Sequence, residues 1–182
     1  MRSAFDTLGI PQGLVVDESA LAAAFREAGA KVHPDAGGAE EDFAELRRAM
    51  DVLSSPSKRL RHWLELRGIE VDPRGTVDDR LMDLFSEVGA VTGQAEVLVR
   101  KRAETRSALA LAMLEGDTQV CRESVEAASA KVDQAIGRET ALFPAFETAA
   151  DIDVSEASRV VRNLAFLEKW KSSLRGLYAR LV

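Results

Sequence analysis

Phe25-Arg26-Glu27-Ala28-Gly29-Ala30-Lys31-Val32-His33-Pro34-Asp35-Ala36-Gly37-Gly38-Ala39 is the stretch whose reading decides the fold. On its N-terminal side, Asp17 is placed to cap a helix. The apolar positions Leu21, Phe25, Ala28 and Val32 then recur at steps of four, three and four, the spacing of one helical face. Pro34 disfavours a helical conformation at His33, so this helix ends there. Ala36-Gly37-Gly38-Ala39 reads as a turn. Beyond it, Phe43, Leu46, Met50 and Leu53 repeat at steps of three, four and three, which predicts a second helix with a matching stripe. Two such helices on a short loop form an antiparallel hairpin with facing seams, and His33-Pro34-Asp35 falls at its exposed tip.

Working outward, Phe5 and Leu8 allow one helical turn that stops at Gly9-Ile10-Pro11. Ser55-Pro56 reads as an N-cap followed by proline at the first helical position. That helix runs through Leu60, Trp63 and Leu66 to Gly68, a plausible residue for the left-handed stop. Glu70-Val71-Asp72-Pro73-Arg74-Gly75 is the expected boundary, dividing the chain into domains at 1–69 and 76–182. The second part carries the seam Val77, Leu81, Leu84, Val88, Val91, Ala95 and Leu98, spaced for an antiparallel bundle. Gly116-Asp117 is expected to break the chain, with a middle helix over roughly 118–142 that Pro144 ends or kinks. Asp153 with Glu156 makes a capping-box-like start for a last helix, whose seam is Val160, Leu164, Leu167, Leu174, Tyr178 and Leu181, interrupted by Lys171. No alternating run supports a strand. The expected fold is all-α: a helical hairpin followed by a three-helix bundle.

The composition fits a globular helical protein: 182 residues, 46% hydrophobic, 30% charged and only 5% aromatic. The net charge of −6 is spread evenly, with 10 Lys/Arg against 13 Asp/Glu in residues 1–75 and 14 against 17 in residues 76–182. No basic region emerges to neutralise phosphates, which argues against nucleic acid and anionic membranes as partners. Cys121 is the only cysteine, and His33 and His62 are the only histidines, so no ligand spacing for zinc or an iron–sulfur cluster exists. The N-terminus reaches Asp6 before an apolar run can start, unlike a signal peptide, and no stretch of ~18 apolar residues is long enough to span a bilayer. A cytoplasmic setting is expected.

His33-Pro34-Asp35 at a hairpin tip, with Leu8-Gly9-Ile10, Phe25-Arg26, Lys31-Val32, Leu53-Ser54-Ser55-Pro56 and Lys58-Arg59 around it, resembles a J-domain over residues 3–62. The resemblance implies docking on a DnaK-type chaperone whose ATP hydrolysis the motif stimulates. His33, Pro34 and Asp35 would contact that chaperone, and Arg26 and Lys31 would supply the cationic face of the second helix. Proline fixes the tip backbone, while His33 and Asp35 present hydrogen-bonding groups and a charge. Arg26 and Lys31 are the only cations among residues 17–35, and Ala36 and Gly37 stand where J-domains often carry basic residues. Electrostatic steering is therefore expected to be weak.

Past residue 60, Arg61-His62-Trp63-Leu64-Glu65-Leu66-Arg67-Gly68, Arg80-Leu81-Met82-Asp83-Leu84-Phe85 and Val160-Val161-Arg162-Asn163-Leu164-Ala165-Phe166-Leu167-Glu168-Lys169 are similar to the HscB-type co-chaperones. That family delivers the iron–sulfur scaffold IscU to the DnaK-type partner HscA. The resemblance implies a non-enzymatic adaptor that needs no cofactor of its own and holds its scaffold on an apolar patch of Leu81, Met82, Phe85 and Phe166. The residue pattern supports three of these. Met82 and Phe85 lie one step off the first seam and Phe166 one step off the last, so a third helix or a partner must cover them. Leu81 also belongs to the seam. The family often places acids just past this patch, where this chain has Ser86, Val88 and Gly89. A general J-domain co-chaperone for another client, or a helical interaction module that stimulates nothing, stays open. Among the remaining residues, Cys121 reads as a small buried side chain, Trp170 as a neighbour of the last seam one turn from Phe166, and Gly89 and Gly93 as sites of close helix approach.

Overall fold

A computed structural model describes residues 2–32, 39–72 and 74–182. These residues form eight α-helices and no strand. The chain divides into two compact units: Met1–Gly75 with Thr140–Leu164, and Thr76–Glu139 with Ala165–Val182. The units are thus not two consecutive stretches. The first segment does end at Gly75, yet a distant segment returns to complete its unit.

The first unit opens with α1, Ala4–Leu8, held at its start by a capping box. The Ser3 hydroxyl accepts from the Asp6 N–H at 3.1 Å and Asp6 accepts from the Ser3 N–H at 3.3 Å. The Ser3 hydroxyl also donates to Asp6 Oδ2 at 2.7 Å, and this bond, with the one from the Ser3 N–H, keeps the Asp6 carboxyl below its ordinary range. Gly9 ends the turn at φ 66°, in the left-handed region that favours glycine. Helix α2, Glu18–Val32, starts where Asp17 accepts from the N–H groups of Ser19 and Ala20 at 2.8 and 2.9 Å, as its N-cap position requires. Helix α3, Glu40–Ser54, packs against both α1 and α2, which forms the expected hairpin. Gly29 is buried in the seam between α2 and α3, and a Cβ there would lie 3.8 Å from Leu46. Helix α4, Pro56–Glu65, has Ser55 as its N-cap and Pro56 in the first turn. Gly68 follows its end at φ 72°.

Phe5, Leu14, Leu21, Leu46, Leu53, Leu60, Trp63 and Leu64 are the buried heart of this unit. The Ala4 N–H donates to His62 Nε2 at 3.1 Å, and the His62 ring stacks 5.8 Å from Phe5, so His62 ties α4 to α1. The returning segment adds α7, Phe143–Thr148. Its Phe143 is buried, and the Arg59 guanidinium lies 5.8 Å above the Phe143 ring. Glu147 accepts from the Leu14 N–H, and Arg162 donates to the Asp72 carbonyl at 3.1 Å.

The second unit is built from α5 (Met82–Glu104), α6 (Ala108–Thr140) and the later part of α8 (Val154–Leu181). A 3-10 turn, Asp79–Leu81, leads into α5. The core includes Leu81 from the 3-10 turn, Val88 and Ala95 from α5, Val125, Ala128, Val132 and Ala135 from α6, and Leu167, Trp170, Leu174, Leu177 and Leu181 from α8. Val77, Leu84, Val91 and Leu98 pack on its edge, so the heptad-like seam is the buried face. Lys171, the polar interruption of the last seam, reaches Asp133 at 2.7 Å. At the start of α8, Asp153 accepts from the N–H groups of Ser155 and Glu156.

Two expectations are corrected. Gly116-Asp117 does not break the chain: α6 runs unbroken through it for 33 residues, and the break lies at Thr105-Arg106-Ser107. A helical glycine costs about 1 kcal/mol relative to alanine but keeps its N–H, so neighbouring contacts can override it. Here the Arg102 side chain donates to Glu115 at 3.0 Å and to Thr118 at 2.8 Å, bracing both sides of Gly116. Gly89 and Gly93 mark no close helix approach, since a Cβ at either would meet open space.

Candidate functional site

His33, Pro34 and Asp35 lie outside the described residues, so the site at the hairpin tip is framed by its flanks. Helix α2 delivers the chain to Val32 and α3 takes it up at Glu40, with acidic Glu40, Glu41 and Asp42 in its first turn, where they complement the helix dipole. Of the two cations expected on α2, Lys31 pairs with Glu27 at 2.9 Å across one exposed turn. That hydrogen bond and charge hold the Glu27 carboxyl below its ordinary range. Arg26 is exposed and turns its Nε toward the Ala22 carbonyl of its own helix at 3.3 Å. The positive face is therefore Arg26, with Lys31 partly neutralised. Nearby, Lys58 pairs with Asp51 at 2.6 Å, and the buried Arg59 donates to the Leu53 carbonyl at 2.6 Å. Arg47 and Arg48 of α3 are exposed.

The apolar residues of the second unit separate by their position on α5. Leu81 lies seven residues before Val88 and fourteen before Ala95, so it faces the core and is only 5% exposed. Met82 and Phe85, one step round the helix, are 42% and 46% exposed. The middle helix leaves them at the surface. Phe166 of α8 is half-buried against the core edge. Trp170 follows one turn later, with ring centroids 6.4 Å from Phe166 and 5.7 Å from Phe85. The structure thus brings Phe85 and Phe166 together from two helices, with Trp170 between them and Met82 on the same turn as Phe85. Spacing on α8 is enough to pair Phe166 with Trp170; no sequence signal joins either to Phe85, because that contact crosses between helices. Past the patch, Ser86 and Gly89 are exposed and Val88 is buried.

Elsewhere, Cys121 is half-buried beside the second core, and burial pushes its thiol above the usual range. No group of His, Cys, Asp and Glu suited to a metal ion occurs among the described residues, and no described helix is long and apolar enough to cross a membrane.

Comparison with known proteins bears on both regions. Residues 3–62 match the DnaJ domain family. The chaperone protein dnaJ A6 of Oryza sativa subsp. japonica is 46% identical over 55 residues, 30% of this chain and 13% of that protein. The tetratricopeptide repeat and J domain-containing co-chaperone DNJ1 of Cryptococcus neoformans is 43% identical over 58 residues, 32% of this chain and 11% of that protein. The chain thus spans about an eighth of the length of these curated relatives. Among solved structures, the chaperone HscB from Vibrio cholerae superposes over 100% of both chains with a TM-score of 0.63 at 22% identity.

Proposed function

We propose that this chain, with a DnaJ domain over residues 3–62 and the HscB fold along its whole length, is a non-enzymatic co-chaperone. Its J-domain, within residues 1–69, docks on a DnaK/HscA-type chaperone through His33, Pro34 and Asp35, with Arg26 and Lys31 beside them, and stimulates that chaperone's ATPase. Its helical region, residues 76–182, holds an iron–sulfur scaffold of the IscU type. The contacts are Met82, Phe85 and Phe166, with Leu81 supporting them from the core side. The observation that carries this reading is the pairing, in one chain, of a DnaJ domain with Met82 and Phe85 exposed on the second unit beside the half-buried Phe166. Exposed aromatic and methionine side chains of this kind are what protein interfaces bury.

The test has two arms. His33→Gln or Asp35→Asn abolishes stimulation of the partner ATPase with the melting temperature unchanged. A mutant that stimulates like wild type refutes the docking role. Arg26→Ala weakens chaperone binding by roughly 1–3 kcal/mol, because one guanidinium carries most of the positive face. In the second arm, calorimetric titration with an IscU-type scaffold yields a measurable affinity for wild type. Ser86, Val88 and Gly89, standing where the HscB-type co-chaperones often carry acids, keep one alternative open: a J-domain co-chaperone for a different client. A wild type that stimulates the ATPase but ignores the scaffold establishes that alternative.

A further inference from the structure

We propose that Trp170 is a positioning residue of the client patch: a largely buried indole that holds Phe85 and Phe166 in their binding orientation and senses the client's arrival. The proposal rests on the client-binding reading of that patch. Three rings meet here from two helices. Phe166 and Trp170 are four residues apart on α8, which places them on one face one turn apart. Phe85 comes from α5, and its ring centroid is 5.7 Å from Trp170 with the planes tilted by 40°. The Phe166 ring is 6.4 Å from Trp170 with a tilt of 32°. Both separations fall in the range of favourable tilted aromatic pairs, ~4.5–7 Å between centroids.

The three side chains differ in what they offer. Trp170 is 8% exposed and packs among Leu167, Leu174 and Leu177, so its position is set by the core. Phe85 is nearly half exposed and, without the indole, would be free to swing about its side-chain torsions. Fixing such a ring at the moment of binding consumes affinity, and a ring already held against a buried neighbour loses less freedom. Trp170 therefore adds to affinity through the rings it holds rather than by its own contact area. A client that covers Phe85 and Phe166 also changes the polarity around the indole edge, so Trp170 fluorescence responds to docking. The other tryptophan, Trp63, is buried in the first unit and gives a constant background.

The experiment titrates the full chain with a purified IscU-type scaffold and follows tryptophan emission, with wild type, Trp170→Leu, Trp170→Phe and Phe85→Ala side by side. Wild type shifts its emission on saturation, and Trp170→Phe shows no shift yet binds within about threefold of wild type, because a second phenyl ring still supports the patch. Trp170→Leu, checked as folded by its circular dichroism and melting temperature, binds roughly tenfold more weakly. If Trp170→Leu does not fold, the emission shift of wild type and the binding of Trp170→Phe decide the matter by themselves. Phe85→Ala separates the two ideas. If it binds scaffold as wild type does, the client-binding reading falls and this proposal with it. If it loses binding while wild type shows no emission shift, or while folded Trp170→Leu binds like wild type, the patch stands and the role of Trp170 is overturned.

Discussion

Phe143 in the first compact unit is 2% exposed and lies beneath the Arg59 guanidinium, whereas Phe85 in the second is 46% exposed and rests its ring against Trp170. The two residues are chemically identical and both sit next to helical seams. Their different fates follow from what each unit had left to bury. The hairpin unit recruits Thr140–Leu164 from far along the chain, and Phe143 and Phe146 of that segment close its core. In the other unit, the seams of α5, α6 and α8 meet without needing Phe85, so the ring stays outside. An apolar residue is therefore structural where a distant segment covers it, and becomes available for binding where the seam is complete without it.

The largest effect expected from this contrast is at Phe143. Phe143→Ala lowers stability by about 3–5 kcal/mol in chemical denaturation, because it leaves a cavity under Arg59 that the neighbours fill poorly. A loss below about 1 kcal/mol would mean that Thr140–Leu164 is not part of the first core, and the contrast would collapse. At Phe85 and Met82, truncation to alanine costs well under about 1 kcal/mol of stability, but about 2 kcal/mol of scaffold affinity per anchor. Thermal melts and calorimetry on the same samples measure both quantities. Stability losses comparable to that at Phe143 would return these residues to the core.

A smaller effect, of opposite sign, is expected at Gly116. A Cβ there meets open space within an unbroken helix, so Gly116→Ala raises stability by about 0.5–1 kcal/mol. Destabilisation would show that the long helix depends on the glycine. The smallest effect belongs to Glu115, whose carboxyl is held below its ordinary range by hydrogen bonds from Arg102 and Arg122. A carboxylate with a depressed folded pKa contributes stability above its unfolded pKa and loses it as pH falls through the folded value. Glu115→Gln should therefore melt slightly below wild type at neutral pH, with the two converging in acid. A gap that stays constant across the acid range would exclude this ion network as its source.

Local chemistry was legible at most of the helix ends, where the signal lay within a few residues. Asp17, Ser55-Pro56, Gly9 and Gly68 all act at the helix ends where their types and spacings put them. The seam from Leu81 to Leu98 is buried, or half-buried at its edge, because seven-residue spacing returns side chains to one face. At Gly116-Asp117 the local signal misled. Glycine's intrinsic penalty is about 1 kcal/mol, and the Arg102–Glu115–Arg122 network with the buried Thr118 outweighs it.

By itself, then, the sequence determined the all-helical class, the helix ends marked by Gly9, Asp17, Ser55-Pro56 and Gly68, the seams, and the placement of His33-Pro34-Asp35 between two amphipathic stripes. Each of these depends on dihedral preferences and periodicities that span only a few turns. Only the tertiary structure decided that Phe143 and Glu147 belong with Leu14 and Arg59, that Met82 and Phe85 stay exposed beside the seam, and that Phe85 meets Phe166 through Trp170. Those outcomes join residues up to 133 positions apart. Contacts at such separations leave no periodicity in the chain and are settled only when whole helices compete for the same buried surface.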